Sequence, residues 1–161
     1  MGLFDKIKKN NELTKSETVV NTIQESFGAA DITFKFDQEQ KVFMVPFQGD
    51  DLPIPVGIAV NDTVIHFRAH LALRANPQNF QKVLSEINGI NKDLLYGSFS
   101  MDPEEGFIYF DYGFPYQEAK VSHEFFLSFL QMIVKTVDEH DGMLKEIAEA
   151  TPREEYEAMY R

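Results

Sequence analysis

The apolar residues of this chain change their spacing along the sequence, and this change constrains the fold more than any other feature. They recur at helical spacing near residues 20, 84 and 130, and at every second position between the first two stretches and again before the third. A spacing near 3.6 predicts amphipathic helices, and a spacing of two predicts strands with one buried face. The order helix–strands–helix–hairpin–helix therefore predicts an α+β fold, in which helices pack on an antiparallel sheet.

The first helix is predicted by a capping box. Thr14 and Glu17 stand three residues apart, so each side chain can satisfy a free backbone amide of the first turn. Apolar residues at helical spacing follow as far as Phe27. We expect Gly28 to end this helix in a left-handed conformation.

Alternating apolar residues predict four strands before the second helix, at residues 32–36, 42–47, 56–60 and 65–71. Pro46 lacks a backbone N–H, so we expect the second strand to lie at a sheet edge or to contain a bulge. Asn61 and Asp62 both tolerate positive φ, and they predict a two-residue turn between the last two of these strands.

The second helix is predicted to begin at Asn76 and Pro77, residue types that favour the cap and the first helical position. Gly89 is expected to end or loosen it. A second hairpin is predicted at residues 96–101 and 107–112. Ser122 is then expected to cap a long helix that continues beyond Gly142.

The length of 161 residues is typical of one domain, and no linker divides it. We expect a basic leader at residues 1–13, one α+β domain at 14–150, and a short acidic helix or tail at 151–161. The leader fits neither a secretory signal nor a myristoylation motif, although Leu3, Phe4 and Ile7 could touch a membrane surface. No apolar stretch approaches the ~20 residues of a membrane span.

Composition excludes several classes of function. The chain has no cysteine, which excludes disulfides, thiolate metal sites and a cysteine nucleophile. Its net charge of −11 opposes binding to the phosphate backbone of nucleic acids. We therefore expect no nucleic-acid partner, and the lack of a secretory signal and a membrane span predicts a cytoplasmic protein.

The strand at residues 65–71 places His66, Arg68 and His70 together on one face. On a strand the two histidines lie about 13 Å apart, too far to share one metal ion. A helical conformation would bring them together, but no third ligand lies nearby in the sequence. The remaining alternatives are a weak contact site for an anion or a partner, and a solvated sheet face that balances the acidic charge.

No catalytic, cofactor-binding or metal-binding residues are predicted. Asp102, Glu104, Glu105 and Asp111 are expected to crowd an exposed turn instead of a cleft, and the pattern of a calcium-binding loop is absent. The sequence also lacks a Gly-x-Ser-x-Gly elbow and the glycine-rich loops that bind phosphates. We therefore expect a protein that is not an enzyme and that needs no cofactor.

Aromatic residues are unusually dense in the second hairpin and after it. They are more numerous than one sheet face needs, and tyrosine suits a partly wet boundary. Exposed members would form a patch for protein binding or self-association. The candidates for this interface are Tyr109, Tyr112, Phe114 and Tyr116.

Three segments resemble the YbjN-like family of bacterial sensory-transduction regulators. They are Leu-Ser-Glu-Ile-Asn-Gly-Ile-Asn at 84–91, Gly-Ser-Phe-Ser-Met-Asp at 97–102 and Gly-Phe-Ile-Tyr-Phe at 106–110, followed by the helix that Ser122 opens. The resemblance covers residues 16–149 and implies a fold similar to that of type III secretion chaperones, which commonly dimerise and hold segments of partner proteins. Asn88 and Asn91 match the family's Asn-x-x-Asn pattern, and we interpret them as side chains that satisfy backbone groups near a helix end.

The sequence and the resemblance together predict a non-enzymatic, cytoplasmic protein-interaction or regulatory module that forms a homodimer. Two alternatives stay open. One is a dedicated secretion chaperone, and the other is a sensor of small molecules or anions that uses the basic face of His66, Arg68 and His70.

Overall fold

A computed structural model describes residues 14–151, in which three α-helices pack on a six-stranded antiparallel sheet. This architecture confirms the predicted α+β fold. The predicted leader, and the predicted tail beyond its first residue, lie outside the described residues. The helices are α1 (Lys15–Ala29), α2 (Phe80–Asp93) and α3 (His123–Glu149), and a 3-10 turn (Pro77–Asn79) precedes α2. The strands are β1 (Lys35–Asp37), β2 (Val42–Gln48), β3 (Pro53–Val60), β4 (Val64–Arg74), β5 (Ser98–Met101) and β6 (Phe107–Pro115).

The strand order in the sheet is β1-β2-β3-β4-β6-β5. The prediction of four strands before the second helix is therefore confirmed. The expectation that Pro46 places β2 at an edge or in a bulge was wrong, since β2 lies between β1 and β3 in a regular register. Proline is tolerated there because β1 pairs with β2 only as far as Met44, so β2 has no described partner strand beside Pro46 on that side.

The core lies between the helices and the face of the sheet that they cover, which we call the inner face. Four fully buried or nearly buried phenylalanines form its centre: Phe27 of α1 packs on Phe43 of β2 and on Phe126 of α3, with ring centroids 5.7 and 5.6 Å apart. Phe67 of β4 stacks on Phe126 at 5.9 Å. Burying each such ring stabilises the fold by roughly 2–3 kcal/mol, so this cluster joins two helices to the sheet.

The first helix begins as predicted and ends differently. Thr14 and Glu17 form the complete capping box. The prediction that Gly28 ends the helix was wrong, because α1 continues to Ala29 and the left-handed residue is Asp31, with φ of 53°. Aspartate tolerates this conformation because its side chain is short and polar.

The second helix also departs from the predictions at two residues. Asn76 makes no cap hydrogen bond to α2, and its side-chain amide donates instead to the carbonyl of Glu149 at the end of α3. The helix runs through Gly89 without interruption and ends at Asp93. Apolar packing of Val83, Ile87 and Ile90 against the core outweighs the low helix propensity of one glycine.

The remaining boundaries differ by a few residues. Three residues, 61–63, connect β3 to β4 where a two-residue turn was predicted, and Asn61 donates its N–H to the carbonyl of Val64. The strand predicted at 32–36 is shortened to β1. Ser122 caps α3 by accepting a hydrogen bond from the N–H of Phe125, and α3 passes through Gly142, as predicted.

Asn91 fastens the end of α2 to β5. Its side chain donates to the carbonyl of Phe99 at 2.9 Å and accepts from the N–H of the same residue at 2.8 Å. The amide group thus takes the place of a neighbouring strand for one residue of β5. The interpretation of Asn91 as a residue that satisfies backbone groups near a helix end is confirmed.

Candidate protein-interaction surfaces

The opposite face of the sheet, which we call the outer face, lies away from the described helices. The strand registers place Met44, Gly57, Arg68 and Asp111 in one row across β2, β3, β4 and β6. The neighbouring row consists of Val42, Ala59, His66 and Gly113. The part of the outer face over β2 and β3 is therefore uncharged at its centre, and the part over β4 and β6 is polar.

The polar part of the outer face is a hydrogen-bonded network centred on Asp111. Arg68 donates from Nε to Oδ1 of Asp111 at 2.7 Å and from Nη2 to Oδ2 at 3.2 Å. Nε2 of His66 lies 2.9 Å from the same Oδ1. The hydrogen bond from Arg68 to this carboxylate raises the pKa of the guanidinium above its ordinary value.

Two aromatic contacts complete this network. The guanidinium of Arg68 lies over the ring of Tyr109, 4.9 Å from its centroid, and His70 meets the same ring edge-on at 4.9 Å. Partial burial, followed by the positive charge of Arg68, lowers the pKa of His70 below its ordinary value. This environment favours the neutral form of His70.

The three residues predicted as a basic contact site, His66, Arg68 and His70, do lie together on the outer face of β4. The helical alternative for this segment was wrong. The structure adds Asp111. Its predicted place in the exposed acidic turn was wrong, because it lies on β6 opposite Arg68, and its carboxylate already pairs with the guanidinium of that residue. An added anion would have to compete with it. Within residues 14–151, no group of three or more His, Asp or Glu side chains has the arrangement of a metal site.

The acidic residues between β5 and β6 shape their turn. Asp102 accepts hydrogen bonds from the N–H groups of Glu104 and Glu105 at 2.9 and 2.6 Å, which lowers the pKa of its carboxyl group. Glu105 in turn pairs with Arg74. This agrees with the interpretation of these residues as part of an exposed turn.

Five aromatic residues form a continuous surface beside the end of β6, which we call the aromatic strip: Tyr96, Tyr112, Phe114, Phe125 and Phe129. Tyr96 contacts Tyr112, whose ring stacks on Phe129 with centroids 5.4 Å apart. Phe125 meets Phe129 at 4.6 Å and Phe114 at 5.2 Å. Tyr96 at the near end is 51% exposed and Phe125 at the far end is 37% exposed, so the strip presents apolar area to solvent.

The aromatic strip borders an unpaired strand edge. β5 pairs with β6 only over residues 108–111 of β6, so residues 112–115 have a described partner strand, β4, on one side alone. Gly97 explains why the pairing stops. It turns the chain with φ of 65°, and a Cβ there would lie 2.7 Å from the carbonyl oxygen of Asp111. Open edges of this kind accept additional extended segments.

The structure separates the four predicted interface aromatics. Tyr112 and Phe114 belong to the aromatic strip, and Tyr109 lies on the outer face. Tyr116 is fully buried, and its hydroxyl donates to the carbonyl of Asn61, so its inclusion in an exposed interface is corrected. Phe125 and Phe129 of α3 were not predicted for this surface, because the predicted interface was confined to aromatic residues of the second hairpin and the residues directly after it.

A shallow apolar groove lies at the other end of the sheet, where α1, β2 and α3 meet. Its volume is about 530 Å³, and its floor consists of Ile32, Phe47, Leu127, Leu130 and Val134. Lys135 and Asp138 stand at its rim.

Asp141 of α3 is a charged residue that the sequence analysis missed. Its side chain is 0% exposed, and neither carboxylate oxygen has a hydrogen-bond partner within the described residues. Burial, followed by the negative charge of Asp138, raises the pKa of Asp141 to about 6. Its position four residues after Val137 and three before Leu144 places it on the buried stripe, and this spacing could have identified it.

No helix within residues 14–151 is long and apolar enough to cross a membrane.

Comparisons with known proteins agree with this fold. Residues 20–146 match the model of the YbjN family, described as "Putative bacterial sensory transduction regulator". A solved structure described as "YbjN, a putative transcription regulator from E. coli" superposes with a TM-score of 0.58 at 13% identity, covering 77% of this chain and 92% of that one. A search of curated proteins gave no match. Because the family model spans most of the sequence, the chain belongs to the YbjN family.

Proposed function

We propose that this protein is a cytoplasmic, non-enzymatic regulator that acts by binding segments of other proteins and that functions as a homodimer. The observation that carries the proposal is the aromatic strip beside the unpaired edge of β6. Aromatic residues are enriched at the centres of protein interfaces, and an open strand edge adds backbone hydrogen bonds to such a contact. Membership of a family of regulators supports the same conclusion.

The geometry of the strip indicates the kind of segment that it binds. Tyr112 and Phe114 are two residues apart on β6, so their side chains lie on the same face and about 7 Å apart. An extended segment that pairs with residues 112–115 would present alternate side chains to these rings and to Phe125. We therefore expect the partner segment to be extended and to carry apolar residues at alternate positions.

The experiment is affinity capture of the full-length protein from its native cell, in the wild type and in two variants. Phe125→Ser removes an exposed ring of the strip. Phe107→Ser is the matched control, since Phe107 is 41% exposed but lies at the start of β6, where its ring contacts Arg74. Thermal unfolding of both variants verifies that they fold.

We expect one or a few specific chains to copurify with the wild type and with the Phe107→Ser variant, and to be lost with Phe125→Ser. Equal capture by all three proteins would contradict the assignment of the strip. If the captured chain is one that the cell secretes, the dedicated secretion chaperone becomes the better description.

A further inference from the structure

The outer face of the sheet differs from the rest of the molecule in its charge. The charged residues on its strands are Lys35, Asp37, Arg68 and Asp111, whose charges cancel, and Arg74 at the rim, which pairs with Glu105. The chain as a whole has a net charge of −11. The acidic excess therefore lies away from this face.

We propose that two copies of this chain dimerise by packing the outer faces of their sheets against each other. This inference rests on the homodimer in the proposed function and adds the surface that forms it. Two acidic proteins repel each other through their charged surfaces, and the repulsion is smallest where a neutral face meets a neutral face. A symmetric dimer uses the same patch twice, so such a patch must tolerate contact with itself.

The shape of the outer face is compatible with this contact. Gly57 and Ala59 on β3 leave a shallow trough between the side chains of β2 and those of β4. Met44, beside Gly57 in the strand register, is 41% exposed and carries a flexible thioether side chain. Met44 leans over Gly57 of its own chain, with Sδ 3.4 Å from the position of an added Cβ, so an uncharged and flexible side chain fills the trough at the centre of the face. In a face-to-face pair of sheets, this side chain meets the same part of the partner's outer face.

The size of the face meets the requirement of a specific interface. β2, β3, β4 and β6 together are about 19 Å wide and about 26 Å long, from a strand spacing of about 4.8 Å and a rise of about 3.3 Å per residue. This gives about 500 Å² per copy, or about 1,000 Å² in total, to which the short strands β1 and β5 add. A specific interface needs about 1,000 Å².

The first test is the mass of the full-length protein in solution, measured by sedimentation velocity over a wide range of concentrations. The variant Gly57→Glu places a carboxylate in the trough of each copy. The backbone tolerates it, because a Cβ at this position would meet Sδ of Met44 at 3.4 Å and the carbonyl oxygen of Arg68 at 3.8 Å, both ordinary van der Waals distances. Gly89→Glu is the matched control, with the same charge change on α2, where nothing lies within 4 Å of the added Cβ.

We expect a dimer for the wild type and for Gly89→Glu, and an increase of about tenfold or more in the dissociation constant for Gly57→Glu, because like charges would face each other. A wild-type dimer that Gly57→Glu leaves intact would overturn the inference while leaving the homodimer itself in place. A wild-type monomer would overturn both. Capture of a partner through the aromatic strip is tested separately and can succeed in either case.

A second measurement does not depend on the stability of a charged variant. The chain has no cysteine, so a single Met44→Cys or Ala59→Cys substitution introduces the only thiol. Facing sheets lie about 10 Å apart, too far for a direct disulfide, so we expect a bismaleimide that spans about 10 Å to link either variant into a covalent dimer. Phe125→Cys, in the aromatic strip, is the control. If Phe125→Cys is linked efficiently and neither Met44→Cys nor Ala59→Cys is linked, the dimer contact lies at the aromatic strip, and the inference is overturned.

Discussion

At the scale of single residues, Asp141 stands out because an acidic side chain is fully buried there. A carboxylate without a hydrogen-bond partner is costly to bury, and its pKa of about 6 records that cost. Because the folded state binds the proton more tightly than the unfolded state, Asp141 contributes stability below its ordinary pKa of 3.8, and this contribution is lost as the pH rises through about 6.

We therefore predict that Asp141→Asn stabilises the protein at pH 7.5. The expected gain in the free energy of unfolding is about 2 kcal/mol, with little gain near pH 4, where the wild-type carboxyl group is protonated. Urea unfolding at both pH values measures the difference. Glu118→Gln, an exposed substitution with the same charge change, is the control. A gain that is the same at both pH values would argue against titration of Asp141.

The role of Asn91 leads to a second prediction at this scale. Asn91→Ala leaves both the N–H and the carbonyl of Phe99 without their side-chain partner, and Phe99 is almost fully buried. We expect a loss of about 1–3 kcal/mol in the free energy of unfolding. Asn88→Ala, three residues earlier on the exposed side of α2, should change it by less than about 0.5 kcal/mol. Equal losses in the two variants would contradict the proposed tie between α2 and β5.

At the scale of helices and strands, Gly89 inside α2 and Gly97 just before β5 should respond in opposite ways to alanine. Gly89→Ala adds a methyl group in open space within a helix, and we expect a gain of about 0.5–1 kcal/mol. Gly97→Ala places a Cβ 2.5 Å from Cζ of Phe110 at a φ of 65°, and we expect a loss of more than about 1 kcal/mol. Thermal unfolding of the two variants measures both effects, and a loss in both would show that α2 needs flexibility at Gly89.

The elements of this fold differ in how well the sequence predicts them. Helices and strands with a clear apolar spacing were predicted correctly, because an apolar stripe on a helix or an apolar face on a strand is a local property of the sequence. The residues at which the elements begin and end were predicted less accurately, because contacts with distant parts of the chain decide them. Asn76 donates a hydrogen bond to the last turn of α3, and the packing of α2 outweighs the low helix propensity of Gly89.

The surfaces were harder to predict than the elements, because each one is assembled from distant parts of the sequence. Asp111 reaches His66 and Arg68 only through the pairing of β6 with β4, across more than 40 residues. The aromatic strip likewise joins the connection before β5, the end of β6 and the first turns of α3. Sequence spacing identified the aromatic residues of β6 but could not show that Tyr116 turns inward while Phe125 stays exposed.

At the scale of the whole molecule, the net charge of −11 works against any association of two copies, even through neutral faces. The repulsion acts over a Debye length of about 8 Å at physiological ionic strength and is weaker at higher salt. We therefore predict that the proposed dimer tightens as NaCl rises from about 0.02 M to about 0.5 M. Sedimentation velocity measures the dissociation constant at each concentration. Gly89→Glu, which adds one negative charge per copy outside the outer face, should show a steeper dependence on salt. An interface held by pairs of opposite charges would weaken as the salt concentration rises, because salt screens their attraction. A dimer that dissociates with rising salt would therefore exclude contact through the neutral face.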